Sequence, residues 1–80
     1  MTGKVKAYIE SELELMVKNL ASCRATELRR AIDNTRWALT GELRVLEHLG
    51  LIDEQDSTWA MEQFNSHWYY NPFQDKYSIV

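Results

Sequence analysis

Apolar residues recur at spacings of three and four through the first fifty positions, a rhythm that predicts helices. Val5, Tyr8, Ile9, Leu13, Met16, Val17 and Leu20 form one stripe over roughly residues 4–21, with Leu15 off it and Thr2 or Gly3 placed to cap its start. Ser22-Cys23-Arg24 interrupts the stripe, and a short second helix is expected over about 25–32 with Leu28, Ala31 and Ile32 inward. Asp33-Asn34-Thr35 reads as a turn and cap, because short polar side chains compete with helical hydrogen bonds and accept from exposed N–H groups. A third helix then runs over about 35–49 with Leu39, Leu43, Leu46 and Leu49 as its buried ridge, and Gly50 stops it in the left-handed conformation. Past Gly50 the pattern predicts strands. Ile52-Asp-Glu-Gln55, a turn at Asp56-Ser57 and Thr58–Phe64 suit a hairpin, and Pro72 rules out an uninterrupted element beyond it. Alternation of Trp68/Tyr70 and Tyr77/Ile79 around Asn71-Pro72 suits a second hairpin or an extension of the first.

Composition narrows the class. Eighty residues with 45% hydrophobic and 26% charged positions suit a single globular domain over 1–80, one that buries only about 60% of its unfolded surface and so needs an efficient core or a partner. The single cysteine, Cys23, forms no internal disulfide, and two scattered histidines make no recognisable metal site. No apolar run approaches the roughly 20 residues of a membrane span, and no signal-peptide core follows Met1. A cytoplasmic protein without metal, cofactor or membrane association is the expectation. The formal charge of −3 conceals a polarity. Residues 18–44 carry Lys18 and five arginines against Glu27, Asp33 and Glu42, net +3, whereas residues 45–80 carry Lys76 against six carboxylates, net −5.

The run from Glu27 to Ile52, Glu-Leu-Arg-Arg-Ala-Ile-Asp-Asn-Thr-Arg-Trp-Ala-Leu-Thr-Gly-Glu-Leu-Arg-Val-Leu-Glu-His-Leu-Gly-Leu-Ile, resembles the winged helix-turn-helix of bacterial regulators of the arsenic-repressor and fimbrial-regulator types. It fits their pattern without a gap, although Asp33 stands at the usual turn glycine and Asn34 at the usual apolar turn residue. The resemblance implies an α+β fold, three helices followed by a small antiparallel sheet: a first helix over 1–22, a helix-turn-helix over 25–49, a wing over 51–64 and an aromatic C-terminal extension over 65–80. It also implies a small sequence-specific transcriptional regulator of phage, plasmid or bacterial type, with the helix at about 35–49 in the major groove of double-stranded DNA.

On that helix Arg36, Trp37, Thr40, Gly41 and Arg44 lie on or near the outer face, with Thr35 at its start. Arg36 and Arg44 suit guanine edges or phosphates, and Thr40 a base edge or backbone oxygen. Arg29 and Arg30 read equally as phosphate contacts or as partners of acidic residues. Trp37 either stacks on DNA or is covered by another part of the fold. Gly41 either permits close approach or reflects a tolerated loss of helix propensity. The wing tip carries Asp53, Glu54 and Asp56, which phosphates repel.

Seven of the nine aromatics lie between Trp59 and Tyr77, more than a domain of this size readily buries. A homodimer through Trp68, Tyr70 or Tyr77 is therefore expected, and it would also double the DNA contacts. The alternative is a protein-binding module, an inhibitor or adaptor acting through its acidic wing and aromatic C-terminal segment. Catalysis is not expected: Cys23 has no His or Asn partner in motif spacing, and His48 and His67 suit structural roles.

Overall fold

The computed structural model describes residues 1–79. Three helices, α1 (Gly3–Ala21), α2 (Leu28–His48) and α3 (Glu54–Asn65), precede two antiparallel strands, β1 (Trp68–Asn71) and β2 (Lys76–Ile79). The expected class, α+β with three helices and then a small sheet, is what the chain adopts; the helices fall at different places.

α1 follows its apolar stripe except at Tyr8, which is exposed. Thr2 caps the helix, its hydroxyl accepting from the Val5 N–H at 3.3 Å, and Ile9, Leu13 and Leu20 are buried. Leu15, off the stripe, is exposed. α2 corrects the expected helix-turn-helix over 25–49. It is one continuous helix of 21 residues, about 31 Å long at 1.5 Å per residue, and residues 33–35 lie inside it. Leu28, Ile32, Thr35, Leu39, Leu43 and Leu46 make a single unbroken inward row, so burial holds the helix together across the polar triplet. The triplet also satisfies itself helically. The Thr35 hydroxyl donates to the Ala31 carbonyl at 2.7 Å, and Asp33 accepts from Arg36 one turn on at 3.1 Å. Residues 25–27 are turn rather than helix. α2 ends at His48, and Gly50 just past it takes the expected left-handed φ of 74°; Leu49, expected on the buried ridge, lies beyond the helix and is exposed.

The expected wing over 51–64 is also corrected: most of it is α3. Asp53 and Asp56 form a capping box, each carboxylate accepting from the other's backbone N–H at 2.9 and 3.1 Å, and acidic Glu54 and Asp56 suit the positive end of the helix. Asp53, Glu54 and Asp56 thus start a helix instead of forming the expected wing tip. Ala60 and Phe64, four apart, are its buried face.

The C-terminal hairpin forms where the alternation placed it, pairing Trp68 with Ile79 and Tyr70 with Tyr77. One apolar cluster joins all three helices to β1, with Phe64, Ile32 and Leu39 the largest fully buried side chains. Trp68 is part of it, packed edge-on against Phe64 with ring centroids 4.2 Å apart. None of the described helices is long and apolar enough to cross a membrane.

Candidate functional site

Because the core takes one side of α2, a row of residues along the opposite side faces outward: Arg30, Asn34, Trp37, Gly41, Arg44 and His48. The residues expected to contact DNA sort into two groups along this helix. Arg29 and Arg36 are engaged by the chain itself. Arg29 Nη1 donates to Asp75 Oδ1 at 2.9 Å, and its guanidinium lies over the Tyr70 ring, 5.9 Å from the centroid. Arg36 bonds Asp33 and, through Nε and Nη2, Asn65 Oδ1 at 3.3 and 3.2 Å, tying α2 to the end of α3. The hydroxyls of Thr35 and Thr40 both donate to carbonyls one turn back, at Ala31 and Arg36. Arg30 and Arg44 are exposed, and among the described residues no carboxylate pairs with either.

Trp37 is 73% exposed, so no other part of the described chain covers it. It lines a shallow groove with Asp33, Arg36, Thr40 and Arg44. Val45, 58% exposed, was not expected here; it lies off the Leu39–Leu43–Leu46 ridge, and that offset was its signal. α1 is braced against α2 through the Tyr8 hydroxyl, which donates to Glu42 Oε1 at 2.6 Å. That bond to a carboxylate, with the neighbouring negative charge, pushes the Tyr8 pKa up to about 12.

The hairpin residues expected at a dimer interface divide differently. Trp68 is buried against Phe64 and is not available as an interface residue of this fold. Tyr77 is half-buried against the core and tilts against Tyr70, centroids 5.0 Å apart. Tyr70 is partly exposed, and its hydroxyl donates to Asp75, which raises its pKa. Asp75 therefore accepts from both Arg29 and Tyr70 while holding a left-handed φ of 48°. On the other side of the turn, Asn71 Oδ1 accepts from the Phe73 N–H at 2.9 Å. Between these two fixings Phe73 projects with 97% of its surface exposed, near Tyr69 in sequence, itself 60% exposed. Sequence reasoning did not single out Phe73, although a large aromatic directly after Asn71-Pro72 falls in a turn and has no core to enter.

Asp53, Glu54 and Asp56 lie together at the start of α3. Asp56 holds the Met1 amine at 3.3 Å, and the bond from the Asp53 N–H, followed by that amine, keeps its carboxyl below its ordinary range. Among the described residues no group of three or more His, Cys, Asp or Glu is positioned to hold a metal ion. In comparisons with protein families, curated proteins and solved structures, no match to this chain was found.

Proposed function

We propose that the chain is a small protein-binding module that offers the tip of its C-terminal hairpin to a hydrophobic pocket on a partner. The observation that carries this reading is Phe73, 97% exposed on a turn braced from both sides. A large aromatic whose backbone is already fixed loses little freedom on binding, which is what an anchoring residue requires. Tyr69 and Ile79 add exposed apolar surface on the same hairpin. Exposed Gln74, Asp75 and Lys76, which follow Phe73 in the chain, supply a polar rim.

Phe73→Ala tests it, because an exposed side chain can be removed without disturbing the fold. Wild-type and Phe73→Ala chains are first matched in thermal midpoint. A partner isolated on the wild-type chain is then purified and titrated against both. A loss of tenfold or more in affinity is expected, about 1.4 kcal/mol; equal dissociation constants would overturn the reading.

DNA binding, the function implied by the winged-helix resemblance, remains a second reading on one observation. Arg30 and Arg44 sit on one face of α2, free of carboxylates among the described residues. It no longer has the turn that would set one helix across another. Titration of mixed duplex DNA over a salt series decides it: binding through phosphates weakens steeply with salt, and absence of binding at low salt removes the reading.

A further inference from the structure

Gly41 lies in the interior of α2 on the side facing away from the core, and a Cβ built there would meet no atom within 4 Å. Nothing inside the described chain requires glycine here, although glycine weakens a helix interior relative to alanine. Its neighbours on the exposed side are apolar and large. Trp37 stands one turn before it, 73% exposed, and Val45 one turn after it, 58% exposed. Bare backbone between two apolar knobs is a shape that admits another helix at close range.

We infer that this face pairs with a second copy of the chain, α2 against α2, antiparallel and crossing at Gly41. Trp37 and Val45 are equally distant from Gly41 in sequence, so a two-fold axis at the glycine sets each Trp37 against the second copy's Val45. Asn34 and His48 are likewise equidistant and face each other. Large meets medium at both ends of the contact, and glycine meets glycine at its centre.

Charge selects the same direction. The start of α2 carries Arg29 and Arg30, with Arg30 unpaired among the described residues. Just beyond its other end α3 opens with Asp53, Glu54 and Asp56, of which Asp56 is partly neutralised by the Met1 amine. Arg30 precedes Gly41 by as many residues as Ile52 follows it, so antiparallel copies bring each basic end toward an acidic end. Parallel copies would set Arg30 against Arg30 and Arg44 against Arg44, whereas antiparallel copies set Arg44, three residues after Gly41, against Ala38, three residues before it. The apolar part of the contact is Trp37 and Val45 from each copy, few anchors for a standard interface, so pairing is expected at micromolar rather than nanomolar concentration. It uses a different surface from the hairpin tip, and Phe73→Ala leaves it unchanged whether or not the hairpin binds a partner.

Gly41→Gln separates pairing from folding. The new side chain has open space and favours helix, so the thermal midpoint at low concentration holds or rises. Sedimentation at high concentration then shows dimerisation weakened about tenfold or more, the size of a central contact. Cross-linking assigns the direction. In a Cys23→Ser background, Asn34→Cys and His48→Cys chains mixed together give a joined pair with a short bismaleimide, and Asn34→Cys alone gives little. The proposal is overturned by a wild-type chain that stays at 9.4 kDa at every concentration, by Gly41→Gln pairing as well as wild type, or by Asn34→Cys linking efficiently to itself.

Discussion

The continuity of α2 can be tested at one exposed residue. Asn34 makes no tertiary contact that the core depends on, so a substitution there reads the backbone. In a helix interior, proline removes one i→i−4 hydrogen bond and its ring strikes the preceding turn, at a cost of about 3 kcal/mol or more. It also biases Asp33 away from helical geometry. A chain of this size has roughly 4–12 kcal/mol of stability at 0.05–0.15 kcal/mol per residue, so Asn34→Pro removes a large share of it. At about 4–8 °C per kcal/mol, the midpoint falls by some 12–24 °C. Asn34→Ala is the counterpart. In a helix interior it gains up to about 0.7 kcal/mol of propensity, whereas at the cap of a second helix it would lose about 1 kcal/mol. Urea melts followed by far-ultraviolet circular dichroism measure both. A proline variant losing less than about 1 kcal/mol, with the alanine variant less stable than wild type, would refute the continuous helix and restore a turn at 33–35.

Other expectations follow from single contacts. Phe64→Ala, emptying the centre of the core beside Trp68, costs about 3–5 kcal/mol in the same melts, and a loss under 1 kcal/mol would mean the ring is not enclosed. Tyr8 is protonated and bonded to Glu42 below pH 10, and this contribution to stability is lost as pH climbs through about 12. Ultraviolet titration of tyrosinate shows a component near 12 that disappears in Tyr8→Phe; an unchanged curve contradicts the bond. The Asp56 contribution is complete above its ordinary value of 3.8 and is lost as pH falls through the lowered folded value, so Asp56→Asn flattens the acid limb of the stability profile.

Periodicity carried α1, its Thr2 cap, the stop at Gly50 and the pairing of Trp68–Asn71 with Lys76–Ile79. It failed where a polar triplet was read by side-chain type alone. Asp33, Asn34 and Thr35 suit turns, yet the inward row from Leu28 to Leu46 runs through them with Thr35 as its small polar member, and no glycine or proline stands at the expected turn. The spacing of Asp53 and Asp56 before Ala60 and Phe64 is equally a helix start, overridden by the strand that the winged-helix pattern expects there. The site was legible as a set of outward positions and not as a pattern of pairing. Which arginines are free depends on Asp75 and Asn65, which lie 46 and 29 positions from the arginines they engage. Trp37 illustrates the same limit, since whether a tryptophan is covered depends on elements distant in the chain.

The hairpin borrows its order from the helices. Two strands of four residues are too short to persist alone in water, so residues 68–79 stay paired through Trp68 on Phe64 and through the Arg29–Asp75–Tyr70 cluster. These attachments lie at opposite ends of the strand pair and differ in kind: one is a dry aromatic contact, the other an exposed polar clasp that salt weakens. Raising ionic strength therefore loosens the turn end before the core end, and amide exchange near Asp75 quickens while that of Trp68 stays slow. A partner that grips Phe73 pulls on the clasp first, and the ring of Phe64 stays enclosed until the tryptophan lifts away.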